Sequence, residues 1–434
     1  MRQIITHAHI LTMNANGDIL PDGSIVIEDG RIKDILAGAV TDSQAEMTDA
    51  RGMLLLPGFI NTHTHLPMVL FRGYADDLPL QEWLKDHIFP AEARWVTPDN
   101  VRLATRLALI EMIKSGTTCF NDMYFFEQVI AEEAARAGIR GVVCESLIDF
   151  PTPDFKTLEE GIALSENLIS RWQNHPLIRP AIGAHSPYTC SAATLQKAKA
   201  LADKHGTLLQ IHLAETRQET ETSIARTGKT PAAYLHSLGV LGKNVIAAHG
   251  VWLTGEDIRL LAESGTAIAH CPKSNLKLAS GIARIAACRA AGIPVGIGTD
   301  GAASNNSLDM VEEMRFASLL AKGAYYQPEA LDAPTTLRMA TLEGAKALGI
   351  DHITGSIEKG KSADLILVHA DASNMQPLHN PCSAVVYAMN SKNIRSTMVA
   401  GTWLMKDRIL QTIDKDSVME EIKNRRHTDS KINC

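Results

Sequence analysis

The sequence of 434 residues lacks the signals of several large protein classes. Its seven cysteines are scattered, odd in number and contain no C-x-x-C pair, which argues against a disulfide framework. No apolar run approaches the ~20 residues that span a bilayer. The amino terminus also lacks the continuous apolar segment of a signal peptide. We therefore expect a cytoplasmic protein that does not enter the membrane.

An excess of positive charge is also absent. The chain has 42 Lys and Arg residues against 49 Asp and Glu residues, a formal net charge of −7. Proteins that bind DNA or RNA depend largely on Lys and Arg contacts to phosphates, so nucleic acid is not an expected partner. Hydrophobic residues make up 45% of the sequence, which is enough for a large core and argues against a disordered chain.

Short apolar runs alternate with helix-like segments through the middle of the chain. Eight such runs occur, at residues 54–60, 117–121, 141–145, 179–184, 208–212, 245–248, 266–269 and 294–298. Several of the intervening segments end in a glycine directly before the next run, where a helix C-cap belongs. Apolar strands that alternate with helices predict a parallel sheet, and eight of them predict a closed (β/α)8 TIM barrel of the α/β class.

The two ends of the chain have a different pattern. Short bursts of alternating apolar and polar residues are separated by turn signals such as Asn16-Gly17 and Asp29-Gly30, as in antiparallel hairpins. A similar pattern returns after Gly360. We therefore predict a composite β-sandwich from residues 1–56 and 360–434, and a barrel domain from residues 57–359.

Histidine is concentrated at the ends of the predicted strands. The chain has 16 histidines, and the strand ends carry His63 and His65, His185, His212, His249, His270 and, at the eighth strand, Asp300. Active sites of barrels lie at the C-terminal ends of the strands, so we expect these side chains to meet in one site.

Four of these residues form a plausible set of metal ligands. His63 and His65 lie two apart on an extended segment, so their side chains point to the same side. His212 and Asp300 are the natural third and fourth ligands. Three histidines and a carboxylate leave a position for a water whose pKa the metal lowers toward ~7. The sequence predicts one divalent ion, zinc, with iron or manganese as alternatives.

Other residues near the strand ends suggest acid–base chemistry and substrate contacts. Glu215 lies three residues beyond His212 and could carry a proton from water to a substrate ring nitrogen. His249 could orient or deprotonate the water. His185 is expected to contact the substrate, whereas His270 could support the site or be purely structural.

These motifs together resemble the amidohydrolase superfamily. The resemblance is carried by PGFINTHTH at residues 57–65, HLAE at 212–215, HG at 249–250 and GTD at 298–300. Within the superfamily, FRGYADDLPL at 71–80, IFPAE at 88–92, HSPYTC at 185–190 and GTDGAASNN at 298–306 are similar to the 5-methylthioadenosine/S-adenosylhomocysteine deaminases. This resemblance covers nearly the whole chain.

The resemblance implies a metal-dependent aminohydrolase that replaces the 6-amino group of a 5′-modified adenosine, giving an inosine-type product and ammonia. It implies metal ligands at His63, His65, His212 and Asp300. Glu215 would shuttle the proton to purine N1, while His249 and Asp300 handle the water proton. The further substrate contacts that it implies are Glu92 to the ribose hydroxyls, and His185 and Ser304 to the purine. It also implies a homo-oligomer.

Several alternatives remain open on the sequence. Some relatives grip the amino-acid end of S-adenosylhomocysteine with arginines after the third strand, but residues 144–153 contain no arginine, so the preferred 5′ group is undecided. Other relatives deaminate guanine or cytosine or hydrolyse triazines. A two-metal amide hydrolase would need a lysine at the end of the fourth strand, where this chain has none. A protein without catalytic activity would be expected to have lost some of the ligands.

Overall fold

The computed structural model describes residues 2–428 and confirms the predicted barrel. Eight parallel strands pair in chain order around one sheet. They are Phe59–Thr64, Thr117–Tyr124, Arg140–Leu147, Ile178–Ala184, Leu209–Leu213, Val245–His249, Ala267–His270 and Val295–Ile297. The eighth strand returns to the first, since the Asp300 amide donates to the carbonyl of His63 at 2.9 Å.

Helices connect and surround these strands. The main ones are Pro98–Lys114, Glu127–Ala137, Leu158–Trp172, Ala192–His205, Arg217–Thr227, Pro231–Ser237, Gly255–Ser264, Ile285–Ala290, Met310–Tyr325, Ala333–Met339 and Leu342–Ala347. Shorter helical segments are Leu66–Phe71, Leu80–Glu82, Trp83–Ile88, Phe89–Trp95, Pro272–Lys277, Ala302–Asn305, Ser373–Met375, Pro381–Ser383, Ala384–Ala388 and Ser391–Asn393, and Lys415–Thr428 is last. Among the helices of residues 2–428, none has the length and hydrophobicity of a membrane span.

Strands from both chain ends form a second, mixed sheet of nine strands within the described residues. They are Arg2–Leu11, Ile19–Glu28, Arg31–Ala37, Glu46–Asp49, Met53–Pro57, Leu365–His369, Ile394–Val399, Thr402–Lys406 and Ile409–Leu410. This terminal sheet has an apolar core of its own, built mainly from side chains such as Ile10, Ile25 and Leu367. The division of the chain into domains at residues 56/57 and 359/360 stays a prediction.

The apolar run at residues 54–60, predicted as a single barrel strand, is divided between the two sheets. Met53–Pro57 pairs with Leu365–His369 in the terminal sheet, and Phe59–Thr64 begins the barrel. The break falls at Gly58, where a Cβ atom would lie only 2.0 Å from Cγ2 of Thr118. A residue without a side chain is therefore required where the chain passes from one sheet to the other.

A buried ion pair also joins the two sheets. Arg140, the first residue of the third barrel strand, donates to both carboxylate oxygens of Asp364 at 2.9 and 3.2 Å. Asp364 Oδ1 also accepts from the Ala400 amide at 2.8 Å. The Asp364 side chain is 0% exposed and that of Arg140 is 6% exposed, so neither charge has water as a substitute partner.

Candidate active site

The barrel brings the four predicted metal ligands together at the C-terminal ends of its strands. Oδ1 of Asp300 lies 3.2 Å from Nε2 of His65 and 3.7 Å from Nε2 of His63. Nε2 of His212 lies 3.4 Å from Nε2 of His65. One nitrogen from each of the three histidines falls within 4.8 Å of the others. The ring nitrogens and the carboxylate thus face a common point.

The hydrogen bonds around these histidines fit a bound cation. Nδ1 of His65 donates to the Met123 carbonyl, and Nδ1 of His212 donates to the His185 carbonyl at 2.6 Å. A carbonyl can only accept, so each Nδ1 carries a proton, and in the neutral ring each Nε2 then presents a lone pair. Nε2 of His63 is buried and has no hydrogen-bond partner. Lone pairs 3.4 Å apart repel each other unless a cation lies between them. The donor set suits zinc and neighbouring divalent metals.

The backbone and two serines hold Asp300 in place. Its second oxygen, Oδ2, accepts from Oγ of Ser274 at 2.6 Å and from Oγ of Ser304 at 3.0 Å, so Oδ1 is left to face the histidines. Asp300 and His249 have φ angles of 60° and 75°. Non-glycine residues with left-handed backbone cost about 1–3 kcal/mol each and are concentrated at functional sites. The strain is consistent with a site that fixes both side chains.

Close packing of the barrel supports the metal ligands from below. A Cβ atom on Gly298 would lie 2.8 Å from the nitrogen and 2.9 Å from the oxygen of His63. We expect Gly298→Ala to displace His63 and weaken metal binding by about 10–100-fold, the range seen when support of a metal ligand is lost. Competition with a chromophoric chelator measures this affinity.

A matched alanine substitution controls for the added methyl group. A Cβ atom on Gly323, in the helix Met310–Tyr325, would meet no atom within 4 Å. Gly323→Ala should therefore leave metal affinity unchanged. Equal metal affinity in the two variants would contradict the role given to Gly298.

Glu215 and His249 face each other next to the ligand cluster. Oε2 of Glu215 lies 3.9 Å from Nε2 of His249, and both side chains are buried. The Glu219 carboxylate accepts from the backbone amides of Ala214 and Glu215 at 3.0 and 2.7 Å and so fixes the turn that carries Glu215. Burial raises the pKa of the Glu215 carboxyl above its ordinary value. A raised pKa lets this carboxyl hold a proton at a higher pH than an exposed glutamate, which suits a group that carries a proton to the substrate.

Asn275 sets the orientation of His249, and the sequence analysis did not identify it. Its amide oxygen accepts from Nδ1 of His249 at 2.9 Å, so Nδ1 carries a proton and, in the neutral ring, Nε2 presents its lone pair toward Glu215. Asn275 follows Ser274, which holds Asp300, on the short helix Pro272–Lys277. The sequence HCPKSN at residues 270–275, directly after the seventh strand, could have pointed to Asn275 as a residue of the site.

Removal of the Asn275 acceptor should lower turnover rather than substrate binding. We expect Asn275→Leu to reduce kcat by about 10–100-fold, because His249 would no longer be held in one tautomer. Asn275→Asp retains the accepting oxygen and should therefore keep a kcat close to that of the wild-type protein. The 15N imidazole shifts of His249 report the tautomer directly, and an unchanged Nδ1–H tautomer in Asn275→Leu would contradict this role.

The other predicted site residues line the cavity above the cluster. Glu92 is buried and accepts from the Tyr124 hydroxyl at 2.7 Å. Burial raises the pKa of the Glu92 carboxyl to about 7. His185, with Nδ1 2.9 Å from Oγ1 of Thr189, and Ser304 also face this cavity. Glu92, His185 and Ser304 therefore line the same cavity as His65, His212 and Asp300, and their contacts with a substrate stay a prediction.

His270 is set back from the chamber. It is buried, its Nδ1 has no hydrogen-bond partner, and it does not line the cavity within the described residues. Its carbonyl accepts from the Gly298 amide at 2.9 Å, which ties the seventh strand to the eighth. Burial lowers the pKa of His270 to about 3, so the ring is neutral. These contacts favour a structural role.

Comparison with known proteins gives consistent results. Residues 54–404 match the amidohydrolase family. A relative from Thermodesulfovibrio yellowstonii, named 5-methylthioadenosine/S-adenosylhomocysteine deaminase, is 43% identical over 96% of both chains. A 5′-deoxyadenosine deaminase from Methanothermobacter thermautotrophicus is 44% identical over 92% of both chains. The crystal structure of an adenosine deaminase from Xanthomonas campestris with bound zinc has a TM-score of 0.94 and 39% identity, and covers 98% of both chains.

Proposed function

Because the chain belongs to the amidohydrolase family, within its 5-methylthioadenosine/S-adenosylhomocysteine deaminases, we propose that its buried chamber deaminates 5′-modified adenosines at C6 of the purine. The observation that carries this proposal is that one chamber contains both groups suited to hydrolysis and a separate carboxyl suited to binding a sugar. A metal-type cluster and the acid–base pair Glu215 and His249 lie at its base, and a second buried carboxyl, Glu92, lies above them. Such an arrangement suits a nucleoside, because the cluster and the acid–base pair can act on the amino group of its ring while Glu92 accepts from its ribose diol.

The cofactor in this proposal is one divalent cation, zinc, held by His63, His65, His212 and Asp300. When bound, the cation would supply Lewis acidity that lowers the pKa of a water, so that hydroxide would be available at neutral pH. The chain's own contribution is the orientation of the four donors. Carbonyl groups fix two of the histidine tautomers, and two serine hydroxyls fix the carboxylate.

The proton movements are assigned to residues around the substrate ring. His249 and Asp300 accept the proton that the attacking water loses. Glu215 begins protonated and delivers that proton to purine N1, which activates C6 for attack. It then takes the second proton of the water from the new C6 hydroxyl and transfers it to the departing amino group. The C6–N bond breaks, ammonia leaves, and the inosine-type product keeps the oxygen from water. The proton held by His249 and Asp300 returns to Glu215 at the end of the cycle.

Substrate recognition is assigned to the upper part of the chamber. Glu92 accepts from the ribose hydroxyls, and Tyr124 holds its carboxyl in position. His185 and Ser304 contact the purine. A free base such as guanine or cytosine, or a triazine, offers Glu92 no diol, which is why nucleosides are the preferred class.

Ultraviolet absorbance tests the proposal directly. The zinc-loaded protein is mixed with 5′-methylthioadenosine, adenosine, S-adenosylhomocysteine and guanine. A shift from adenine-like to hypoxanthine-like absorbance with the nucleosides is the expected result. No change with any nucleoside, although metal analysis gives one ion per chain, would contradict it; turnover of guanine alone would favour the free-base alternative. The homo-oligomeric state and the cytoplasmic location stay predictions, which size-exclusion chromatography and cell fractionation can check.

A further inference from the structure

We propose that the mouth of the active-site chamber is a subsite for an uncharged 5′ substituent, such as an alkylthio group, and that it disfavours a charged amino-acid arm. The inference rests on the proposed nucleoside deamination. The subsite is built from Phe89, Phe150 and Tyr188, and it would decide among the 5′-modified adenosines that the sequence left open.

The position of Glu92 indicates where the 5′ group lies. Glu92 and Phe89 are one turn apart on the helix Phe89–Trp95, so their side chains are neighbours on one face, and both line the chamber. In a nucleoside the 5′ carbon is attached to the ring carbon beside the one that bears the 3′-hydroxyl. If Glu92 accepts from the ribose hydroxyls, the 5′ group lies within reach of Phe89.

Beyond Phe89 the chamber borders a second, outer cavity. Leu84, Phe89 and Tyr188 line both spaces, and Phe150 joins them from the loop after the third barrel strand. The Phe89 and Phe150 rings pack with centroids 5.5 Å apart and planes at 59°. Phe150 is nevertheless 39% exposed. A thioether or methyl group placed here would cover aromatic surface and make favourable sulfur–ring contacts.

A charged arm has no comparable partner in this part of the structure. A carboxylate is recognised best by a guanidinium that binds both oxygens, and within residues 2–428 no arginine lines either the chamber or the outer cavity. The ionisable residues of the outer cavity are Lys85, which is exposed, and Glu219, an acid that offers a carboxylate no positive charge.

Another cavity that borders the chamber, which we treat as the other route out of it, is also poorly suited to a carboxylate. It shares Leu80 and Leu278 with the chamber, and its lining includes two cations, Lys277 and Arg217. Lys277 is paired with Asp76 at 2.6 Å, and Arg217 is paired with Glu221 at 2.7 Å. Both charges are therefore already compensated by carboxylates of the chain.

Binding and turnover with two nucleosides test the proposal. We expect kcat/KM for 5′-methylthioadenosine to exceed that for S-adenosylhomocysteine by about tenfold or more, with the difference mainly in KM, as is typical of contacts in an apolar pocket. Phe150→Arg should shift this ratio at least about tenfold toward S-adenosylhomocysteine by supplying the missing guanidinium. A wild-type protein that prefers S-adenosylhomocysteine would overturn the proposal.

A matched substitution separates the local effect from the added charge. Phe316, on the helix Met310–Tyr325, is 41% exposed, lines neither cavity, and is thus comparable with Phe150 in residue type and exposure. Phe316→Arg should leave the ratio unchanged, and an equal shift in the two variants would contradict the subsite. Arg217→Gln should not weaken binding of S-adenosylhomocysteine; if it does, the arm leaves by the other route.

Calorimetric binding to Glu215→Gln separates this proposal from the proposed function. If no nucleoside is deaminated by the wild-type protein but 5′-methylthioadenosine binds the variant more tightly than S-adenosylhomocysteine, the subsite stands and the reaction assignment fails. If adenosine is deaminated but the two modified nucleosides bind equally, the reaction stands and the subsite fails. If neither modified nucleoside binds, both proposals fail.

Discussion

Glu215→Gln is expected to lower kcat for 5′-methylthioadenosine by about 10³-fold, within the 10²–10⁴-fold range of general acid–base catalysis. The glutamine amide has the size of the carboxyl and can still donate a hydrogen bond, but it cannot release a proton to purine N1. KM should change little, because the substrate contacts assigned to Glu92 and Ser304 are retained. Absorbance assays over a range of substrate concentrations up to saturation give kcat and KM separately.

Two controls make this result specific. Metal analysis should give the same content in the variant, since Glu215 is not among the assigned ligands. Glu221→Gln changes an exposed carboxyl of the neighbouring helix Arg217–Thr227, where it pairs with Arg217, and should retain full activity. The assignment of Glu215 is wrong if its variant keeps more than a tenth of wild-type kcat, or if both variants lose activity equally.

Arg140→Met is expected to destabilise the protein by about 3–5 kcal/mol, the cost of leaving one partner of a buried ion pair uncompensated. Asp364 would remain without its guanidinium at a site with 0% exposure, at the junction of the barrel with the terminal sheet. The midpoint of urea denaturation, followed by circular dichroism, measures the free energy of unfolding at constant m-value.

A double variant and a surface variant complete this experiment. Arg140→Met combined with Asp364→Leu removes both charges, and it should cost less than Arg140→Met alone, because no uncompensated charge stays buried. Arg259→Met removes an exposed arginine that contacts Glu256 and Glu263, and it should cost no more than about 1 kcal/mol. An Arg140→Met cost as small as that of Arg259→Met would contradict the structural role of the pair.

The ligand cluster could be predicted from the sequence because one geometric rule governs it. In a parallel barrel the carboxyl ends of all strands meet at one face, so His63, His65, His212 and Asp300 could be assigned to one site once the strands were identified. The roles given to these residues do not follow from the rule alone and await the variants described above.

The residues that support the site could not be predicted in the same way. Ser274 and Asn275 are adjacent, yet one holds Asp300 and the other holds His249, and this depends on the turn of a six-residue helix. Tyr124 was missed for another reason. Its strand was expected to end at residue 121, whereas the structure extends it to Tyr124, so a residue at the rim of the chamber was left outside the predicted strand.

The division at Gly58 was missed because both of its sides are apolar. Hydrophobicity alone does not distinguish a strand of the terminal sheet from a strand of the barrel when the two follow each other without a turn. The two strands are distinguished by the close approach of Gly58 to Thr118, a residue of the next barrel strand. This approach is known only once the barrel is assembled.

The terminal sheet also has a consequence for biosynthesis. Met53–Pro57 pairs with Leu365–His369, and about 300 residues separate the two strands along the chain. At roughly 5–20 residues per second, the ribosome needs about 15–60 seconds to make the second strand after the first. Until then one edge of the amino-terminal strands has no partner, and such an edge can pair with other nascent chains. The barrel is synthesised within this interval. Aggregation during expression should therefore increase with the time for which that edge remains unpaired.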